Sequence, residues 1–170
     1  QRPYYELEKA RQELASYVKN LDKLVEDRTY ELNNINQKLL DDLDYARDIQ
    51  RALHPLTLPD NKHISIAAGY FPAERVGGDF YNIIKLDDEN IALYIGDVSG
   101  HGVPAAMLTV FVNQTIKLLL ETDERSHLLA KPELVLNSLL ESFNRTNFKD
   151  EVYFVILYAV YNITTKVLSF

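Results

Sequence analysis

A seven-residue apolar repeat, free of glycine and proline, runs through residues 4–53 and restricts this segment to one continuous helix. Its first position holds Tyr4, Arg11, Val18, Val25, Leu32, Leu39, Ala46 and Leu53. The position three residues later holds Leu7, Leu14, Leu21, Arg28, Ile35, Asp42 and Ile49. Twelve of these fifteen positions are apolar, which favours a coiled coil over an ordinary amphipathic helix.

A helix of this length, roughly 75 Å at about 1.5 Å per residue, cannot bury its apolar stripe alone. β-Branched Val18 and Val25 with Leu21 between them favour a parallel two-stranded pairing. We therefore expect a parallel homodimer through residues 4–53. Arg11, Arg28 and Asp42 interrupt the stripe, and two interpretations stay open: they fix the register, or they make a weak point that lets the coil shift.

The repeat ends at Pro55 and Pro59, which cannot continue a helix. We expect a coiled-coil linker at 1–54 and a globular segment at 55–170. In the second segment the period changes to that of strands at 64–71, 79–86, 91–98 and 151–165, with a further short strand at "KVLSF". Helical spacing occupies about 103–121 and 132–147. The order of elements predicts an α+β fold with antiparallel strands and helices on a face.

Charge and composition exclude several classes of function. The net charge of −7 argues against a nucleic-acid footprint, and the absence of cysteine excludes disulfides and thiolate metal sites. No stretch approaches the ~20 apolar residues of a membrane span, so no membrane contact is expected. The chain begins at Gln1 without a signal-peptide core, which leads us to expect a cytoplasmic piece of a longer protein.

Two glycine-flanked acids carry the chemistry of the globular segment. Asp79 opens one strand of a predicted hairpin and Asp97 closes the other, so both should lie at the same end of the sheet. Carboxylates without nearby Cys or clustered His make an oxygen site suited to Mg²⁺ or Mn²⁺. Taken singly, each acid could equally belong to a turn or a helix cap, and their conjunction is what favours a metal site.

The stretch "AERVGGDFYN" at 73–82 also approaches the "GGDEF" pattern of nucleotide cyclases. Phe80 stands where that pattern needs a second acid, and the companion acid lies downstream instead of upstream. This interpretation is therefore rejected.

The stretch "AERVGGDFYNIIKLDDENIALYIGDVSGHGVPAAMLTV" resembles the bacterial PPM-type (protein phosphatase 2C-like) serine/threonine phosphatases, the group of the sporulation stage II protein E and sigma-factor regulator phosphatases. The preceding "ARDIQRALHP" resembles that family's regulatory linker. The resemblance implies the first part of an αββα sandwich with a two-metal site at one end of its sheets.

The resemblance also implies roles for single residues. Asp79 matches the first metal-ligating acid, Asp97 the acid that bridges both metals, and Val98 a backbone carbonyl ligand, with Mn²⁺ or Mg²⁺ as cofactor. The resemblance implies only weakly that His101 donates a proton and that Arg75 helps to hold phosphate. Further metal-binding acids are expected after Phe170, so the site in this chain should be incomplete and the chain inactive alone.

The implied function is dephosphorylation of a regulatory phosphoprotein, of the anti-sigma-factor antagonist type, under control of an upstream sensor acting through the coil. The alternative is a dimeric interaction or signal-transmission module without catalysis.

Overall fold

The computed structural model describes residues 2–55, 57–60, 62–120, 131–148 and 151–170, without the side chain of Leu120. Its elements are, in order, α1 (Arg2–Arg51), β1 (Phe80–Lys85), β2 (Asn90–Val98), α2 (Gly102–Leu120), α3 (Pro132–Arg145), β3 (Phe154–Asn162) and β4 (Leu168–Ser169). The chain divides into two compact units, 1–42 and 43–170. The functional boundary expected at residue 54 stays a prediction.

Helix α1 runs for 50 residues, and the helix predicted from the repeat is confirmed. The apolar side chains of its first unit lie exposed in the single chain, including Leu14, Leu21, Val25 and Leu32. An uncovered apolar stripe of this length is what the expected pairing would bury, but the pairing itself stays a prediction.

Strands β1 and β2 form the predicted antiparallel hairpin, with Phe80 opposite Gly96 and Lys85 opposite Ile91. The turn is organised by Asp87, whose Oδ1 accepts the backbone N–H groups of Glu89 and Asn90 at 2.7 Å each. These bonds help to hold the pKa of Asp87 below its usual value, with the Asn90 side-chain amide as the largest cause. The hairpin prediction is therefore confirmed.

The sheet has four antiparallel strands in the order β1-β2-β3-β4, and α2 and α3 cover one of its faces. Side chains alternate along each strand, so the helix-facing positions make the core. That core contains Phe80, Ala92, Tyr94, Val98, Leu108, Val112, Ile116, Val135, Leu139, Tyr158 and Val160. Pro132 occupies the first turn of α3, as predicted. The α+β class is confirmed.

One predicted strand is absent. Residues 65–70 have no strand hydrogen bonding, and Ile64 forms only an isolated bridge. The side chains still alternate in burial, with Ile64 and Ile66 half-buried and Ser65 and Ala67 exposed. An alternating pattern reports which side chains face inward, whereas a strand also needs a neighbouring edge with which to exchange hydrogen bonds. Neither edge strand of the described sheet, β1 or β4, pairs with residues 65–70.

The expectation that no stretch is apolar enough to span a membrane is wrong for helix α2. Gly102–Leu119 reaches a mean hydropathy of 1.2, enough by length and composition alone. Its side chains Val112 and Ile116 are fully buried in the core of the unit. A core helix passes the same test, and α2 packs as one.

Candidate metal centre and its supports

The hairpin register brings the two candidate acids together. Because Phe80 lies opposite Gly96, the next pair along the strands is Asp79 with Asp97. The Val98 N–H donates to the Gly78 carbonyl at 3.1 Å, which continues the pairing past the end of β1. Both carboxylates are exposed at one end of the sheet, as expected from counting back from the turn. Their role as metal ligands stays a prediction.

Gly78 is packed against the second acid. A Cβ placed on Gly78 would lie 2.7 Å from the Val98 carbonyl oxygen and 3.1 Å from Asp97 Oδ1. A side chain here would therefore displace the two oxygens that Asp97 and Val98 are predicted to offer a metal. The absence of a side chain at Gly78 is therefore what lets the two strands bring these oxygens close to its backbone.

The acids border the sheet face that α2 and α3 leave uncovered. An open cavity of about 410 Å³ is lined by Asp79, Gly96 and Asp97 together with apolar Ile95, Val155, Ile156 and Leu157. Ile95, Val155 and Leu157 are about half exposed or more. The carboxylates thus lie at the end of an exposed apolar surface of the sheet.

The donor set suits a hard cation but is small. Two carboxylates and a backbone carbonyl are oxygen ligands of the kind that Mg²⁺ and Mn²⁺ prefer. Over the described ranges, no group of three or more His, Cys, Asp or Glu side chains is placed to hold a metal ion. The chemistry of the site therefore fits the predicted metals, whereas the number of acids falls short of a two-metal cage.

The loop after β2 is held by Ser99. Its N–H donates to the Tyr153 carbonyl at 2.8 Å, and its Oγ accepts the Tyr153 N–H at 3.0 Å. Gly100 and Gly102 have φ of 89° and 71°, a left-handed conformation that other residues rarely adopt. Ser99 therefore fixes the path of the loop into α2.

His101 and Arg75 point to other partners than the two acids. His101 is exposed, with Nδ1 3.6 Å from Glu74 Oε1. Arg75 forms an ion pair with Asp44 on α1, and this contact is the largest cause that holds the pKa of Asp44 below its usual value. Neither residue gains support for a catalytic role.

The structure adds a residue that sequence reasoning missed, Gln50. Its side chain is 4% exposed and donates from Nε2 to the Gly77 carbonyl at 2.6 Å and to Thr109 Oγ1 at 3.0 Å. Its Oε1 accepts the Gly77 N–H at 3.2 Å. One amide thus joins the end of α1 to α2 and to the loop two residues before Asp79. Nothing in the repeat distinguishes Gln50 from exposed polar residues of the same helix.

His54 makes a second link at the end of α1. Its ring lies between Tyr70 and Tyr81, with centroid distances of 4.3 and 4.8 Å. Nδ1 lies 3.3 Å from the Tyr81 carbonyl, and Nε2 is buried without a hydrogen-bond partner in the described ranges. Burial lowers the pKa of His54, so the ring is neutral at pH 7, and Nδ1 carries the proton because a carbonyl can only accept.

The chain is similar to known proteins in both sequence and fold. The family model "Stage II sporulation protein E (SpoIIE)" matches residues 87–170. Phosphoserine phosphatase RsbU of Bacillus subtilis is 29% identical over 131 residues, covering 77% of this chain and 37% of that protein. Protein IcfG of Synechocystis is 44% identical over 66 residues, covering 39% of this chain and 10% of that protein.

A solved structure described as the SiaA-PP2C domain of Pseudomonas aeruginosa superposes with a TM-score of 0.59 at 26% identity, covering 74% of this chain and 49% of that one. The chain thus spans between a tenth and about half of the length of the relatives it matches. The similarity includes the hairpin that carries Asp97 and the strands and helices that support it. Residues 87–170 thus match the stage II sporulation protein E family, and the chain is similar in sequence and fold to PPM-type (protein phosphatase 2C-like) phosphatases of the sigma-factor regulator group.

Proposed function

We propose that the protein of which these residues are part is a metal-dependent protein serine/threonine phosphatase. The observation that carries the proposal is the pairing of Asp79 with Asp97 at the end of the hairpin, with Gly78 against the Asp97 carboxylate and the Val98 carbonyl. The relative named phosphoserine phosphatase RsbU supports the reaction class. Acids held by strand register change little in position when substrate binds, which favours a preorganised site.

Asp79, Asp97 and the Val98 carbonyl would hold Mn²⁺ or Mg²⁺. Such ions, when bound, lower the pKa of a water molecule and offset the charge of the phosphoryl oxygens. The chain's own contribution is placement. The register sets the two carboxylates on adjacent strands, and Gly78 leaves their oxygens accessible.

The substrate we propose is a regulatory phosphoprotein of the anti-sigma-factor antagonist type, dephosphorylated in the cytoplasm. The name of the relative RsbU, a phosphoserine phosphatase, supports a phosphoserine substrate. The anti-sigma-factor antagonist class rests on the family resemblance alone, by analogy.

We also propose that the enzyme is a parallel homodimer through residues 4–53, controlled by an upstream sensor. The uncovered apolar stripe of α1 supports pairing. The Gln50 and Asp44–Arg75 contacts support transmission, because the last turns of α1 contact the loop that leads to Asp79. Inserting one or two residues near position 45 of the longer protein should change its activity, and indifference to such insertions would contradict the coupling.

The decisive experiment replaces Asp97 with Asn in the longer protein and measures release of phosphate from a phosphoserine protein with Mn²⁺. Turnover should fall by several orders of magnitude while the oligomeric state is unchanged. The matched control, Asp88→Asn, alters an exposed carboxylate of the hairpin turn that pairs with Lys85. Full activity of the Asp97 variant would favour the alternative, a non-catalytic dimeric module.

The 170-residue chain by itself should show no meaningful phosphatase activity, because its described acids do not complete a two-metal cage. A robust Mn²⁺-dependent rate from this chain alone would overturn that part of the proposal.

A further inference from the structure

A second cavity, whose lining does not include Asp79 or Asp97, contains arginine side chains. It measures about 850 Å³ and lies between the end of α1 and the loop at 70–76. Arg47 and Arg51, one helical turn apart on α1, line it together with Arg75 from the loop. Neither of the candidate metal-binding acids belongs to its lining.

The positive charge of this cavity is only partly neutralised. Asp44 pairs with both Arg47 and Arg75, and Glu74 on the lining lies 3.6 Å from His101. Arg51 has no ion-pair partner in the described part of the chain. Asp48 also lies 3.5 Å from Arg47, but Glu74 alone among these three acids belongs to the lining, against three arginines. The lining itself therefore carries more positive than negative side chains, which favours an anion there.

One donor in the cavity is left without an acceptor. The outer nitrogens of Arg47 bind Asp44 Oδ1 at 2.6 Å and Asp48 Oδ1 at 3.5 Å. Its Nε, by contrast, is buried and has no hydrogen-bond partner within the described ranges. Leaving a buried N–H of a charged group without an acceptor costs free energy. We therefore expect a bound ligand to supply an acceptor to this atom.

The geometry points to an oxyanion-binding site at this cavity, and we propose that its ligand is a phosphoryl group. Arginine presents a planar fork of donors that matches the oxygens of phosphate. The Nε of Arg47, the unpaired guanidinium of Arg51 and the remaining nitrogens of Arg75 would each donate to it. Tyr70, Phe71 and Pro72 form the wall beside the arginines, and Phe71 is 93% exposed. The cavity therefore has room for a phosphorylated side chain as well as for free phosphate.

The test measures binding of inorganic phosphate to the 170-residue chain, by NMR shift titration with a chelator present, so that no metal site contributes. We expect saturable binding, with affinity reduced about tenfold by Arg51→Gln, since hydrogen bonds between charged groups are the strong ones. Arg47→Lys, which keeps the charge and removes the Nε donor, should reduce it similarly. Arg145→Gln, in an exposed pair with Glu141 on α3, is the matched control and should change nothing.

A phosphoserine peptide and its unphosphorylated form distinguish the two sources of the phosphoryl group. Tighter binding of the phosphopeptide than of phosphate, lost with Arg51→Gln, assigns the site to a phosphoprotein; equal affinities assign it to free phosphate. Phosphate binding that is absent, or that is unchanged in both the Arg51 and the Arg47 variants while their thermal unfolding matches the parent chain, would overturn the proposal.

Discussion

Gln50 and Gly77 are joined by two hydrogen bonds, one in each direction between the side-chain amide and the peptide group. The same amide reaches Thr109 on α2. A glutamine used in this way acts as a short piece of backbone, pairing with the loop as a strand would. Because Gly77 precedes Asp79 by two residues, the end of α1 and the position of the first candidate ligand are physically connected.

Replacing Gln50 with Ala should destabilise the unit at 43–170 by roughly 1–3 kcal/mol, since it leaves the partly buried N–H and carbonyl of Gly77 without their partner. Chemical denaturation monitored by circular dichroism measures the change. Gln37→Ala, which removes only an exposed bond to Asp41 on α1, is the matched control and should stay within about 0.5 kcal/mol. Equal effects of the two substitutions would contradict the role given to Gln50.

Gly78→Ala should weaken Mn²⁺ binding in the longer protein by about 10- to 100-fold, because the new methyl group meets the Val98 carbonyl oxygen at 2.7 Å and Asp97 Oδ1 at 3.1 Å. Isothermal titration with Mn²⁺ measures the affinity. Gly69→Ala is the control, because its methyl group meets only the ring of exposed Phe71, at 2.9 Å, and that ring can rotate away. Unchanged affinity in the Gly78 variant would remove Asp97 or Val98 from the ligand set.

Stability should fall as the pH is lowered through about 6.5, in part because of His54. Its folded pKa lies below the ordinary value of 6.5, mainly through burial, with the hydrogen bond to Tyr81 opposing the shift. As the pH falls below 6.5 the unfolded chain takes up a proton that the folded chain does not, so unfolding gains free energy from protonation.

Urea denaturation at a series of pH values between 7.5 and 5 measures this loss. His54→Phe should flatten the pH dependence in that window, because Phe stacks between Tyr70 and Tyr81 and cannot be protonated. His101→Gln, at an exposed position, should retain it. A His54→Phe variant with the full pH dependence would show that other groups cause it.

The apolar stripe of α1, formed by the two repeat positions, should drive association of two chains. Val25→Glu places a charge at a position that the repeat assigns to the interface, so the dimer should dissociate at protein concentrations where the parent chain is paired. Analytical ultracentrifugation measures the mass. Asn20→Glu adds the same charge to the same helix but lies at neither of the two apolar repeat positions. It should therefore leave the mass of the dimer unchanged. A monomeric parent chain would contradict the pairing proposal at once.

The sequence by itself determined the long helix, the hairpin at 80–98, the helices α2 and α3, and the placement of Asp79 beside Asp97. Each follows from a local signal: a seven-residue repeat, strand alternation around a "DDEN" turn, helical spacing after Pro132, and register counted from that turn. The resemblance to the phosphatase family came from motifs that lie on these same local elements. Short-range patterns of this kind are set by backbone periodicity, which the sequence records directly.

The tertiary structure alone decided the rest. Residues 64–71 alternate like a strand yet lack one, because strand formation requires a partner edge that no local pattern reports. Gln50, Arg47 and His54 look like ordinary polar residues at the end of a repeat. Their functions as a link to Gly77, as an unpaired donor in a cavity and as a buried neutral ring arise from groups that lie far away in sequence. Burial and hydrogen-bond partners depend on how distant parts of the chain pack together. The seven-residue repeat reports only local periodicity and so does not predict them.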